Sequence, residues 1–425
     1  MKLGRMAILG SGIAGMSAAY FLKDHADLTV FEKDDRIGGH THTIDCEGQS
    51  FDTGFMVYNE VTYPLLTALF KKLQVPTQPT SMSFSVQVAK SGLEYCGSSL
   101  NHLFAQRRNL INPKFWRLLL RINRFNQEAF NLLSRPEANT LSLGDFIARH
   151  DFGQDFLDEF LIPMSSAVWS TPKDKMLDFP AHTLIRFFHN HGFLGLHTQH
   201  PWRTVTGGSR SYRDRLIAPF KDRIHTRSGV ARVERTSDGK TRIRTLDGTE
   251  SVFDRVILAC HADEVLSLLA DPTPRERALL APFKYQSNPT VVHTDDSVMP
   301  RKRLAWSSWN YRIERDGSGS THYWMNELQA IRHPKNYIVS LNLPDPEAGG
   351  RGAIDPQKIL KHISYTHPIF SLEAIQAQEE LPLLNRDGDS TGRYYCGSYF
   401  KYGFHEDALR SSVTLCEQII PGSTG

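Results

Sequence analysis

Three glycines near the start of the chain restrict its fold more than any other feature. They lie in Gly10-Ser11-Gly12-Ile13-Ala14-Gly15. Residues 6–9 before them read as a short buried strand, and residues 16–24 after them as a helix. Residues 28–31 read as a second strand, which ends in Glu32. Strand, glycine turn, helix, strand and acid make one βαβ unit of about thirty residues. Gly10 permits the tight turn, Gly12 lets a backbone amide approach a pyrophosphate, and Gly15 lets helix and strand pack closely. The helix N-terminus offers free N–H groups and a positive dipole end to phosphates. Glu32 stands where a carboxylate accepts hydrogen bonds from a ribose diol. The unit reads as a nucleotide site; a bare βα turn needs only one glycine.

Composition narrows the class. At 425 residues the chain is long enough for two or three domains and a large core. Lys+Arg minus Asp+Glu is 49 − 46 = +3, which argues against a nucleic-acid binder. Five scattered cysteines, with no Cys-x-x-Cys pair, argue against a disulfide scaffold and suit a reducing compartment. Lys2, Arg5 and the apolar stretch after them imitate a secretion signal, but the spaced glycines and Lys23-Asp24 fit a fold element better. No stretch approaches the roughly 20 apolar residues of a membrane span. The expectation is a cytoplasmic protein. Its oligomeric state leaves no signal in the sequence.

The next segment separates the dinucleotides. Arg36-Ile37-Gly38-Gly39-His40-Thr41 follows Glu32 almost at once, and Ser50-Phe51-Asp52-Thr53-Gly54-Phe55 ends in another close-approach glycine. A simple NAD dehydrogenase does not need these added phosphate or ribityl contacts. Here the chain resembles the flavin-containing amine oxidase superfamily, which includes monoamine oxidases, protoporphyrinogen oxidases and phytoene desaturases. The family pattern is the glycine fingerprint, Glu, Arg-x-Gly-Gly-Arg-Thr, then Asp-x-Gly. His40 departs from it, standing where the family has a second arginine on the pyrophosphate. A histidine is only partly charged near neutral pH.

The resemblance implies an α/β fold, with a Rossmann-type FAD-binding domain and a discontinuous α+β substrate domain. The expected boundaries are 1–75, 205–265 and 385–425 for the FAD domain, and 76–204 and 266–384 for the substrate domain. It also implies non-covalent FAD. The residues implied to hold it are Gly10, Ser11, Gly12, Ile13, Ala14, Gly15, Glu32, Lys33, Arg36, Gly38, Gly39, His40, Thr41, Asp52, Thr53 and Gly54. Residues 223–255 alternate as a β-meander, and by the resemblance Val230 in it bonds the adenine through its backbone. Near the end of the chain, residues 393–398 read as a strand and glycine turn containing Gly397 and Ser398, which the resemblance implies also hold FAD together with His405 and Glu406. A helix then starts near Gly403 and runs to about Gln418. The family ends similarly, with the helix N-terminus facing the flavin. Ser398 replaces the family's acid or threonine. Tyr402, His405 and Glu406 are the catalytic candidates, each with a cofactor-orienting or helix-capping role as the alternative. Cys396 is expected to be packed and not a flavin tether.

On the substrate side, residues 101–135 look helical and basic. Arg107, Arg108, Lys114, Arg117, Arg121, Arg124 and Arg135 face one acid, Glu128. Such a segment suits peripheral contact with an anionic membrane on its inner face; the alternative is a solvated face of a helical cap. Val205-Thr206-Gly207-Gly208-Ser209 is either a turn near the ligand or a surface turn. Trp306, Trp309, Tyr311, Tyr323 and Trp324 are either the lining of an apolar tunnel or core. The histidine pairs His40/His42 and His189/His191, with His197 and His200 nearby, match no recognised zinc spacing, so no metal is expected.

The expected activity is FAD-dependent desaturation of a lipid acyl chain or similar long apolar substrate. The chain resembles a bacterial branch of the superfamily associated with methylated membrane fatty acids, on Gly38-Gly39-His40-Thr41-His42-Thr43, Asp52-Thr53-Gly54-Phe55 and Gly403-Phe404-His405-Glu406-Asp407. The alternatives are an FAD-dependent amine oxidase, a redox-neutral fatty acid isomerase, a non-catalytic FAD-binding protein and an NAD dehydrogenase.

Overall fold

The computed structural model describes residues 3–134, 141–169, 173–195, 198–344 and 353–424. Its nucleotide sheet has five strands, β1 (Arg5–Leu9), β2 (Asp27–Phe31), β3 (Ile224–His225), β4 (Arg255–Leu258) and β5 (Arg393–Tyr395). They run in the order β3-β2-β1-β4-β5, and every pair is parallel. A parallel sheet is covered on both faces, so its central strands are apolar throughout. Met6, Ala7 and Ile8 on β1 have no exposed surface.

Helix α1 (Ile13–Leu22) follows the glycine turn. It begins three residues before the expected start, so Gly15 lies in its first turn and not in the loop. The reason is steric. A Cβ on Gly15 would lie 1.9 Å from the carbonyl oxygen of Gly10, so only glycine lets the helix rise this close to the strand end. Gly10 itself has φ +99°, a left-handed conformation that favours glycine.

The expected meander is a three-stranded antiparallel sheet, Val230–Arg235, Thr241–Thr245 and Glu250–Phe253. Its turns use Gly239 and Gly248, both at positive φ. A larger sheet of seven strands stands apart from the nucleotide sheet. Its order is Ile359–Ile369, Lys284–His293, Ile338–Leu341, Gly319–Trp324, Trp309–Ile313, Phe84–Val88 and Leu93–Cys96. A buried aromatic cluster, including Phe115, Phe125, Phe146, Phe156 and Phe188, joins this sheet to a helical layer.

Four further helices matter for the site. They are α2 (Pro64–Lys72), α3 (Pro113–Leu133), α4 (Ala181–Asn190) and α5 (His405–Ile419). The basic segment is therefore helical mainly over α3, after a 3-10 turn at Arg107–Ile111. Arg135 and His197 lie outside the described residues. Helix α5 packs on α1, with the Cys416 thiol 4.0 Å from the carbonyl of Ala18. Among the described residues no helix is long and apolar enough to cross a membrane.

Candidate cofactor and substrate cavity

One cavity of about 740 Å³ runs from the glycine turn to the N-terminus of α5. That volume is in the range of small-molecule and cofactor sites. The nucleotide end is built where β1, β2 and the meander meet. Gly10, Ser11, Gly12, Ile13 and Ala14 line it, as do Glu32, Lys33, Arg36, Gly39, His40 and Val230. Glu32 is held in place before any ligand arrives. Its Oε2 accepts from the Ser11 amide at 3.0 Å and from the Ser11 hydroxyl, and its Oε1 accepts from the Asp34 amide at 2.9 Å. The Ser11 hydroxyl in turn accepts from the Gly38 amide at 3.1 Å, tying the two glycine segments together. Arg36 donates from Nη1 to the Gly39 carbonyl at 2.7 Å. The ammonium of Lys33, although on the cavity wall, is paired with Glu264.

Two observations show that this end fits a phosphate-bearing cofactor. Apart from its immediate chain neighbours, nothing comes within 4 Å of the position a Cβ on Gly12 would take, so the wall is open there. The Nε2 of His40 is sealed from solvent and has no protein partner. An unpaired buried imidazole nitrogen is costly, and a phosphate oxygen would satisfy it. The His40 ring stacks on Tyr365 at 5.0 Å and lies 5.2 Å from the His367 ring and 6.5 Å from that of His261. Burial, and then the neighbouring His367, His261, His405 and Arg36, hold the pKa of His40 well below the ordinary histidine value.

Several residues implied by the resemblance are placed elsewhere. Gly15, Gly38, Thr41, Asp52 and Glu406 are not on the cavity wall. Gly15 serves helix packing, as described above. The buried Asp52 carboxylate accepts from the Ser209 amide at 2.9 Å, the Thr43 hydroxyl at 2.6 Å and the Gln329 amide at 2.7 Å. It is thereby a brace behind the wall, and burial pushes its pKa up. The same contacts locate the glycine turn before Tyr212, where Gly208 abuts Thr43 and Ser209 meets Asp52. Glu406 caps α2, accepting from the amides of Leu65 at 3.1 Å and Leu66 at 3.0 Å, and pairs with Arg410 at 2.8 Å. Its carboxylate is committed to the fold, because a helix N-terminus leaves amides that need acceptors. Thr41 bonds the Tyr212 hydroxyl.

The far end of the cavity is a chamber of aromatic and aliphatic side chains. Thr53, Gly54 and Phe55 enter it from one side, and Gly397, Ser398, Tyr402 and His405 from another. His405 stacks on Phe55 at 3.9 Å, and its Nε2 meets Tyr212 at 3.0 Å and Thr41 at 3.2 Å. Burial lowers its pKa to about 3, so the ring is neutral. Tyr402 accepts at its backbone carbonyl from Trp169 Nε1 at 3.3 Å. Cys396 is fully buried and is not on the wall. Of the aromatic strand residues, Trp309 and Tyr323 line the chamber as a T-shaped pair 5.0 Å apart. Trp306 and Trp324 instead form a T-shaped pair with the Arg303 guanidinium over both rings, and Tyr311 packs against Gly319.

Sequence reading missed the rest of this wall. Phe187 comes from α4 and His191 from its C-terminal cap, Trp169 and Phe193 from segments around it, and Trp202 from the strand Trp202–Val205. The pair His189/His191 drew notice only as a metal question. Its second member stacks on Phe187 at 3.9 Å and faces Trp202 at 6.1 Å.

Comparison with known proteins places this geometry. A family model described as flavin containing amine oxidoreductase matches residues 13–330. Coproporphyrinogen III oxidase of Staphylococcus aureus is 25% identical over 181 residues, which span 40% of this chain and 37% of that protein. The aligned stretch is thus little more than a third of the curated relative. Two solved structures share the fold across nearly the whole chain. A fatty acid isomerase from P. acnes that produces CLA superposes with TM-score 0.69 at 16% identity, covering 98% of each chain. Putrescine oxidase bound to putrescine gives 0.69 at 14%, covering 99% of this chain and 100% of that one. The chain thus belongs to the flavin-containing amine oxidoreductase family, and the cofactor its cavity serves is FAD.

Proposed function

We propose that this protein is an FAD-dependent oxidoreductase that desaturates a lipid acyl chain or a similarly long apolar substrate. The observation that carries this reading is the chemistry of the chamber. Among the described residues its wall is mainly apolar and aromatic, with Thr53, Ser398, His191 and His405 as neutral polar groups, and no Asp, Glu, Lys or Arg lines it. The charged wall residues Glu32, Lys33, Asp34, Arg36 and Glu264 all belong to the nucleotide end. A chamber of this kind favours hydrocarbon over a charged substrate, because an ion there finds no counter-charge. Bound FAD supplies a two-electron acceptor able to take a hydride from a carbon next to a double bond or a nitrogen.

The protein's own residues do the remaining work. Glu32, the Gly10–Gly12 turn, Arg36 and His40 would hold the nucleotide. Phe187, Phe193, Trp202 and Trp309 exclude water and fix the hydrocarbon. His191 brings a neutral imidazole to the wall in addition to that of His405, with its pKa lowered to about 4 by burial.

A second reading is oxidation of an uncharged apolar amine. It is favoured by the same absence of carboxylates, which would bind only the neutral form. An anaerobic visible spectrum of the purified protein separates the readings. Bleaching of the flavin by membrane lipid extract, with a new double bond in the product, supports desaturation. Bleaching by amines alone moves the assignment to amine oxidation. A rearranged double bond without net bleaching identifies a redox-neutral isomerase.

A further inference from the structure

Large apolar side chains on the surface are concentrated in one place. Leu100, Leu110, Ile111, Trp116, Leu120 and Phe130 are all exposed, Ile111 by 88% and Leu120 by 69%. Elsewhere among the described residues only Val61 and Leu246 are comparably exposed large apolar groups. Concentrated exposure of this kind marks an interaction site, whereas single apolar residues do not.

Folding holds the patch together. The Trp116 indole donates to the Leu110 carbonyl at 2.9 Å, which fixes the 3-10 turn against α3. Arg107 ties that turn to the preceding helix, donating to the Asn101 side chain at 2.7 Å and the Phe104 carbonyl at 2.8 Å. On α3, Phe115, Leu118, Phe125, Ala129 and Leu132 face the core. The outer face divides lengthwise. Trp116 and Leu120 stand one turn apart, and Arg117 and Arg124 stand two turns apart on the neighbouring stripe.

Most cations beside the apolar stripe lack a carboxylate in direct contact. Arg121 pairs with Asp155, and Glu128, the one acid between residues 100 and 134, approaches His150 at 3.8 Å. Among the described residues, Arg107, Arg108, Lys114, Arg117 and Arg124 have no carboxylate within 4.0 Å; Arg124 lies over the Phe152 ring instead. Exposed leucine, isoleucine and tryptophan beside arginines that lack a carboxylate partner match the layering of an anionic bilayer, with hydrocarbon below and phosphate above.

We infer that the outer face of α3 and the 3-10 turn before it form a docking surface for an anionic lipid bilayer. The protein lies on the bilayer and does not span it. This inference does not depend on the substrate assigned above. It does have a structural link to the cavity. Helix α4, whose Phe187 and the adjoining His191 line the chamber, packs directly under α3. Phe130 meets His189 at 5.5 Å, and Arg186 donates to the Leu133 carbonyl at 3.4 Å.

Vesicle co-sedimentation of the FAD-loaded protein tests it, using phosphatidylglycerol/phosphatidylcholine vesicles and phosphatidylcholine vesicles alone. The expected result is binding to the anionic vesicles that weakens as salt is raised. Arg117→Glu with Arg124→Glu should weaken it by roughly tenfold or more. Ile111→Asn with Leu120→Asn should also weaken it, while flavin content and far-UV spectrum stay unchanged. These side chains are exposed, so the variants should fold. Equal binding to both vesicle types, no binding to either, or wild-type binding by both variants would overturn the inference. So would a stable oligomer in vesicle-free solution that the Asn variants dissociate.

Discussion

Phe187 on α4 and His191, the residue that ends that helix, hold each other by two contacts. Their rings stack at 3.9 Å, and His191 Nδ1 lies 2.9 Å from the Phe187 carbonyl oxygen. A carbonyl can only accept, so the proton is on Nδ1 and the lone pair is on Nε2. Besides His405, whose Nε2 is engaged by Tyr212 and Thr41, the chamber therefore contains an oriented imidazole acceptor on His191. In the proposed function it receives a proton or a polar hydrogen from substrate. His191→Phe should keep bound FAD and lower the rate of anaerobic flavin reduction by roughly 10²-fold. Stopped-flow bleaching measures this, and an unchanged rate would show that the nitrogen has no part in turnover. With a pKa of about 4, His191 should cause no change in that rate between pH 6 and pH 8.

Gly12 and Gly15 separate cofactor binding from folding. Apart from its immediate chain neighbours, a Cβ on Gly12 meets nothing within 4 Å, whereas one on Gly15 would lie 1.9 Å from backbone. Gly12→Ala should leave the melting temperature of the flavin-free protein unchanged and reduce FAD occupancy. Gly15→Ala should lower that melting temperature as well, at a cost of roughly 3 kcal/mol. Calorimetry and the flavin-to-protein absorbance ratio report the two effects separately.

His40 makes cofactor affinity a function of charge. Burial and surrounding histidines keep it neutral in the free cavity. An arginine at this position is charged at any working pH. At pH 8, His40→Arg should bind FAD more tightly than the native protein, by roughly tenfold. Titration of the flavin-free protein by fluorescence quenching gives both constants. Equal constants would place His40 away from the phosphates.

Acid stability should reflect the buried neutral imidazoles. Burial is the leading cause that lowers His42, His293 and His367 to about 4, and His405 to about 3. The unfolded chain takes protons near 6.5, so between that value and the folded values it binds more protons than the native state. Stability from these groups is intact above about pH 6.5 and is lost as pH falls through the window toward 4. The melting temperature should drop by about 5 °C or more from pH 7 to pH 5 at saturating FAD. A flat profile would mean that these rings are not buried neutral.

Local features of the chain were legible because their physics is local. The βαβ unit, Glu32 after the second strand and the meander turns depend on neighbours a few residues away. The start of α1 was misplaced because Gly15 answers to a steric contact with Gly10, not to a turn. Asp52 illustrates a different limit. Its motif position suggested a cofactor contact, yet its carboxylate is satisfied by Ser209 and Gln329, 157 and 277 residues away. Burying a carboxylate requires such partners, and no local pattern announces them. The chamber is harder still. Its aromatic residues arrive singly from α4, from the strand Trp202–Val205 and from the seven-stranded sheet, and singly each reads as core.

Strand β5 closes the edge of β4, although residues 393–395 come far later in the chain than residues 256–258. During synthesis, the nucleotide sheet therefore waits on the ribosome with one parallel edge bare until that late segment emerges. An open edge is a template for pairing with other chains. Parallel pairing across so long an interval is also intrinsically slow. Production of this protein should accordingly be limited by aggregation of nascent chains, and lowering the growth temperature or raising chaperone supply should improve its yield.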